Sequence, residues 1–179
     1  WEFASKSCGK AVDSVEVRID SEDPYTKVGE IQAKGNSIMS GYYKNDEATA
    51  AAFTEDGWMR TGDLGLLDEK GNIFIKGRSK NMILSANGQN IYPEEIEAVV
   101  NNQPYVVESV VVDRGARLVA LIYMDSEKAK AEGVDLEEYK KTIMAEVNKS
   151  MPAYSKVNVV EYMAEPFEKT PKMSIKRFM

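Results

Sequence analysis

Three segments of the chain combine residue types that could serve chemistry. In the first, Trp58-Met59-Arg60-Thr61-Gly62-Asp63-Leu64, an aspartate directly follows a glycine. A carboxylate held after a glycine in a tight strand connection can accept hydrogen bonds from two neighbouring hydroxyls. An acidic residue reads a ribose in this way in dinucleotide-binding folds. Taken alone, this segment favours a plainer reading, a turn with a solvated aspartate. The second segment covers residues 77–97, Gly-Arg-Ser-Lys-Asn-Met-Ile-Leu-Ser-Ala-Asn-Gly-Gln-Asn-Ile-Tyr-Pro-Glu-Glu-Ile-Glu. A polar pair after Gly77, an apolar strand, a glycine-bearing loop and a proline-started helix follow in close order. An ordinary linker needs no pattern of that length. The third is the tail, residues 167–178, where Lys169, Lys172, Lys176 and Arg177 are basic. A frayed terminus is the usual reading of such a stretch. A functional reading needs a mobile cation that swings onto an anionic reactant.

Composition narrows the chemistry further. The chain has 179 residues with 23 Lys and Arg against 29 Asp and Glu, a formal charge of −6. A general nucleic-acid or membrane-surface binder would need a basic face instead. A hydrophobic share of 43% is enough for a core. There is no His, which removes the Ser-His-Asp triad and zinc sites with imidazole ligands. The single Cys8 supplies neither an internal disulfide nor a thiolate cluster, so a cytoplasmic setting is expected, with peripheral membrane association compatible with it. Apolar runs such as residues 118–122 are far too short to span a bilayer, so no transmembrane segment is expected. No signal peptide is visible, and the start at Trp1 leads to the expectation of a piece of a longer protein.

The elements that must position these residues follow from periodicity. Val15, Val17 and Ile19 alternate with Glu16, Arg18 and Asp20, as in a half-buried strand. Residues 29–34 resume that character after an Asp-Pro loop. Asn45 or Asp46 can cap a short alanine-rich helix to Phe53. Residues 64–67 and 72–75 flank a four-residue turn of the hairpin kind. After Gly77 the pattern changes. Pro93 suits a first helical position, with Glu94 and Glu95 near the positive dipole end. Residues 106–112 and 117–123 are β-branched strands. Asp135 and Glu138 fit a capping box, and Leu136, Tyr139, Ile143 and Val147 make one helix face. Pro152 closes that helix, and residues 157–160 form a further strand. The expected fold class is α+β, an antiparallel β-rich part over 1–77 followed by a small α+β domain over 78–179.

Together and in this order, the three segments resemble the AMP-forming acyl-CoA synthetases of the adenylate-forming superfamily, from about Gly29 to Arg177. The form of the second motif, with Lys80 after Arg78 and then Asn90-Ile91-Tyr92-Pro93, is most similar to the long-chain fatty-acid CoA ligases. The resemblance implies that residues 1–77 are the last β subdomain of a large domain and 78–179 a mobile lid domain. It implies that Asp63 bonds both ribose hydroxyls of ATP or AMP and that Arg78 contacts the ribose side. Lys80 matches the hinge, and Gly88 matches the glycine lining the channel for the thiol of CoA. In the tail, aligning Lys169-Thr170-Pro171 puts Ser174 where the family carries its adenylation lysine. Lys172 and Lys176 lie two residues to either side, and a four-carbon ammonium stem in an extended tail has the reach to substitute.

The family's phosphate loop and its adenine and magnesium segment do not occur in this sequence. The resemblance therefore implies a fragment inactive alone, which needs its large N-terminal domain as partner. ATP or AMP, CoA, Mg2+ and a fatty acid would serve the whole enzyme. Two alternatives stay open: a non-catalytic adenylate-binding regulatory module, which Ser174 favours, and a ligase for another carboxylic acid.

Overall fold

In a computed structural model, residues 4–177 are described. The chain divides into two compact units, Trp1–Asn81 and Met82–Met179. Both combine antiparallel pairing with α-helix, one short helix in the first and three in the second among the described residues, so the expected α+β class is what the chain adopts.

The first unit is a four-stranded antiparallel sheet in the order β1-β2-β3-β4. Its strands are β1 (Val15–Asp20), β2 (Gly29–Gly35), β3 (Met59–Leu67) and β4 (Ile73–Arg78). Helix α1 (Asp46–Ala52) interrupts it, and the Asn45 side chain accepts from the Ala48 amide as the N-cap. One buried polar side chain ties the strands together. Gln32 is fully buried, accepts from Arg18 Nε at 2.7 Å and donates to Asp20 at 3.1 Å. Arg18 continues outward as a fork onto Asp56 at 2.6 and 3.1 Å, with its guanidinium 4.5 Å from the Trp58 ring centre. Strand β4 runs through Arg78, beyond the expected division at residue 77, because Arg78 still pairs with Asp63 on β3.

In the second unit, β7 (Val106–Asp113), β8 (Leu118–Met124) and β9 (Val159–Tyr162) form a sheet in that order. A short hairpin, β5 (Ile83–Leu84) with β6 (Asn90–Ile91), precedes helix α2 (Pro93–Val100). Helices α3 (Ser126–Ala131) and α4 (Leu136–Lys149) carry the chain from β8 to β9, which run parallel. Parallel neighbours need such a crossover. Strand β8 is covered on both faces, which explains its unbroken run Leu118-Val119-Ala120-Leu121-Ile122. Ala120 and Ile122 join Ile96, Val100, Ile143 and Val147 on one side. On the other, Val119 and Leu121 pack with Val110 and Phe167.

Ile143 has no exposed surface, so truncating it leaves a cavity between α4 and the sheet. Ile143→Ala is expected to cost about 2–5 kcal/mol. Urea unfolding followed by the helical circular dichroism signal measures it. Lys141→Ala, on the solvent side of the same helix, is expected to stay within about 0.5 kcal/mol of the parent.

Candidate functional site

The sequence places Gly62 and Asp63 in a connection between strands; the structure places them inside β3. The reason is an irregularity in the pairing with β2. From Glu30↔Leu64 to Gln32↔Arg60, β2 advances 32 − 30 = 2 residues while β3 advances 64 − 60 = 4. The extra residues bulge out of the strand, and Gly62 takes φ +74°, a conformation that L side chains rarely adopt. The bulge is braced on both sides. Thr61 Oγ1 donates to the Ile31 carbonyl at 2.6 Å and accepts from the Asp63 amide at 3.1 Å. Glu30 takes the Gly62 amide at 3.2 Å and Arg60 at 3.0 Å.

This geometry aims Asp63 at Arg78, its register partner on β4. Arg78 Nε stands 3.0 Å from Asp63 Oδ1, and Nη1 donates to the Thr61 carbonyl at 3.1 Å. The Asp63 side chain keeps 28% of its surface exposed and that of Arg78 58%. Such an exposed pair adds little stability. It does present an oriented carboxylate and a guanidinium side by side, acceptors and donors matched to vicinal hydroxyls and a nearby phosphate.

Lys80 follows in a single 3-10 turn, Ser79–Asn81, and is exposed. Gly88 belongs to the second unit, in the loop of the β5–β6 hairpin. Its φ is +78°, and a Cβ there would meet nothing within 4 Å. The loop is closed by Ser85, whose amide donates to the Gln89 carbonyl while its own carbonyl accepts from the Gly88 amide, both at 2.9 Å.

The tail departs from the extended or frayed strand the sequence suggests. Residues 169–175 form a hairpin, with a bridge between Lys169 and Ile175. The Thr170 amide donates to the Ser174 carbonyl and the Met173 amide to the Thr170 carbonyl, both at 2.8 Å. Pro171, Lys172 and Met173 make the loop, and Met173 takes the left-handed conformation, φ +62°, that a three-residue hairpin loop requires at its last position. An alternating side-chain facing therefore does not relate residues 172, 174 and 176. Lys172 and Ser174 are exposed, and among the described residues Lys172 makes no ion pair, whereas Lys176 pairs with Glu168 at 3.0 Å. Phe178 lies outside the described residues.

Two carboxylates that were not singled out from the sequence hold this hairpin. Glu108 accepts the Phe167 amide at 2.9 Å and the Lys169 ammonium at 2.7 Å. Glu97, on α2, accepts both arms of Arg177 at 2.6 Å and the Val111 amide at 2.7 Å. Burial pushes the Glu97 carboxyl up, against the pull of those hydrogen bonds. A signal for Glu97 exists: it sits on the apolar stripe between Ile96 and Val100, where a charge needs a partner. Asp63 and Arg78 come together in the first unit, then, while Gly88 and the tail residues belong to the second.

A family profile described as the AMP-binding enzyme C-terminal domain matches residues 80–179. The chain belongs to that family, the C-terminal domains of adenylate-forming acyl-CoA ligases. Among relatives, it is 43% identical over 106 residues to a sulfoacetate–CoA ligase of Cupriavidus necator, covering 56% of this chain and 21% of the relative. It is 40% identical over 120 residues to the long-chain-fatty-acid–CoA ligase FadD15 of Mycobacterium tuberculosis, covering 66% of this chain and 19% of the relative. Among solved structures, an o-succinylbenzoate coenzyme A synthetase of Bacillus subtilis in complex with AMP superposes with a TM-score of 0.79 at 26% identity, over 95% of this chain and 34% of that one. The chain spans about a fifth of the length of these curated relatives. No helix among the described residues is long and apolar enough to cross a membrane.

Asp56 braces the start of β3, and hydrogen bonds from Arg18 first and Thr54 second hold its carboxyl well below the usual carboxylate range. A lowered folded value means a contribution present above the ordinary carboxylate pKa of about 4 and lost as pH falls toward the folded value. Acid titration followed by Trp58 fluorescence should therefore show a steeper loss below about pH 4 in the parent than in Asp56→Asn.

Proposed function

We propose that this chain is the C-terminal portion of an AMP-forming acid–CoA ligase. The residues to about Lys76 would close its large domain, and those from about Gly77 would form its mobile lid. In the proposed reaction a carboxylate attacks the α-phosphate of ATP, giving acyl-adenylate and releasing pyrophosphate. The thiol of CoA then attacks the acyl carbon and AMP leaves. The observation that carries this reading is Asp63 set against Arg78 on a braced bulge, within a chain of this family.

The residues divide the work. Asp63 accepts hydrogen bonds from both ribose hydroxyls, and Arg78, held beside it, contacts the same side of the nucleotide. Lys80, in the exposed turn after β4, serves as the pivot between the adenylating and thioester-forming poses. Gly88 lines the thiol channel, where the absence of a side chain permits close backbone approach to a narrow ligand. The tail delivers a cation to the reacting carboxylate and α-phosphate. Ser174 carries no charge, so Lys172 is the first choice and Lys176 the second. The pairing of Lys176 with Glu168, and the lack of any ion pair at Lys172 among the described residues, support that order. Magnesium would accompany ATP. No group of three or more Cys, Asp or Glu able to hold a metal occurs among the described residues.

The acid is taken to be a long-chain fatty acid, on the form of the 77–97 motif and the likeness to FadD15. The likeness to sulfoacetate and succinylbenzoate ligases supports a different acid as the second reading. Asp63→Ala in the full-length ligase is expected to raise the KM for ATP at least about tenfold, since each charge-assisted bond lost is worth roughly 1.5–3 kcal/mol. Unchanged ATP kinetics would refute the ribose role.

The tail assignment is tested by single-turnover adenylation. Lys172→Ala should slow it by about 10²–10³ and Lys176→Ala much less. Ser174→Lys should gain little if Lys172 already serves. No loss in either alanine variant would remove both lysines from the reaction.

A further inference from the structure

The tail hairpin is held at both ends by carboxylates, the half-buried Glu108 and the buried Glu97. At its start, Glu108 is 12% exposed and receives the Phe167 amide and the Lys169 ammonium. At its end, Glu97 is 10% exposed, receives both arms of the Arg177 guanidinium, and is itself fixed to β7 through the Val111 amide. Glu94, one turn earlier on α2, stands 3.4 Å from Arg177. Between the clamps, Ile175 packs with Phe167 against the outer face of the sheet. Everything from 167 to 177 is thereby tied down except the loop Pro171-Lys172-Met173, whose residues are exposed.

An anchoring fork of this kind is directional. A planar guanidinium meeting a carboxylate through two parallel bonds fixes rotation as well as distance, which a point charge does not. Because Arg177 is buried to 18% exposure, sliding the strand by two residues would leave Glu97 without its partner. Removing one member of a buried pair is strongly unfavourable. The clasp therefore sets the register of the hairpin and, with it, which residue stands in the loop.

We propose that Glu97, acting through Arg177, is a positioning residue for adenylation: the clasp holds the 169–175 hairpin in the single register that presents Lys172 at its tip. Glu108 secures the other end through Lys169. The inference rests on the ligase reading above and adds to it a pair of residues that touch no substrate. It also explains why Lys176 is the poorer candidate. Lys176 adjoins Arg177 and shares the anchored strand, with its amide donating to the Glu168 carbonyl at 2.8 Å.

The two half-reactions separate positioning from folding. In the full-length ligase, Arg177→Met and Glu97→Gln should lower the single-turnover rate of adenylate formation by about 10²-fold, the scale of a misplacement of about 1 Å. The rate of thioester formation from supplied acyl-adenylate should stay as in the parent, because that step does not use the tail loop, and the KM for ATP should change far less than with Asp63→Ala. Arg177→Lys, which keeps the charge without the fork, should recover only part of the loss. Hydrogen exchange of the 167–177 peptide should quicken in the same variants.

Should the Glu97 and Arg177 variants fail to fold, Glu108→Gln frees Lys169 alone and is expected to give the same split between half-reactions. Equal losses in both half-reactions, or unaltered adenylation with a loosened tail, would overturn the proposal. A parent enzyme that forms no thioester with any acid would sink the ligase reading and this inference together. Parallel losses in an active enzyme would sink the inference alone.

Discussion

A carboxylate taken out of water must find charge and hydrogen bonds to replace it, and in the second unit that demand falls on Glu97. Burial alone pushes its proton affinity up, and three donors from two distant places answer it: the Val111 amide and both arms of Arg177. The consequence is organisational. Helix α2, the central part of β7 and the C-terminal tail meet at one group, although Glu97 and Arg177 are 80 residues apart in sequence. A buried pair of this sort is weak evidence for net stability, because desolvation of the two ions offsets their attraction. Its effect is on geometry, since the two parallel bonds of the fork fix the orientation of Arg177 as well as its distance.

The first unit meets a comparable demand by other means. There the irregular element is the backbone, where β3 carries two residues more than β2 needs between consecutive pairings. The excess is tolerated because Gly62 accepts the left-handed turn and because Thr61 and Glu30 take up the displaced amides. Bulges re-aim side chains, and this one brings Asp63 to Arg78. Trp58 and Arg60, from the same motif, act in the frame around it: Trp58 stacks beneath Arg18, and Arg60 pairs with Glu30.

Local signals made much of this readable from the sequence. Alternation marked β1, the Asn45 and Asp135 caps marked the starts of α1 and α4, and Pro93 opened α2 as its chemistry requires. Where the signal was weak, elements went unseen. Helix α3 has a single buried residue, Ala129, and so no apolar period, while β6 is only two residues long. The bulge was illegible for a different reason. Gly-Asp is turn-like wherever it occurs, and only the register of β2, set elsewhere, decides that the chain continues as strand. Tertiary pairing settled the tail in the same way. Nothing local to residues 167–177 specifies Glu97 and Glu108 as its anchors, although a glutamate on the apolar stripe of α2 was itself a sign that a cation had to arrive.

That arrival bears on the adenylation role proposed for the tail, in which the resemblance implies a lysine where this chain has Ser174. In a free extended strand, neighbouring positions two apart lie about 6.6–7 Å from one another, and any one of them could be brought to a fixed point by sliding. In the hairpin they are unlike. Position 174 supplies a backbone carbonyl that closes the loop, position 176 lies within the anchored strand, and position 172 lies in the loop itself. A lysine stem is roughly as long as the two-residue step it must bridge, so under the proposed reading a cation in the loop covers the volume that one in the closing strand would reach. That holds only while the loop is kept in place. The demands on the tail are thus divided: the side chain at the tip has latitude in sequence position because its stem is long and flexible, and the latitude is useful only because the anchors, a bidentate fork and a clamped ammonium, have none.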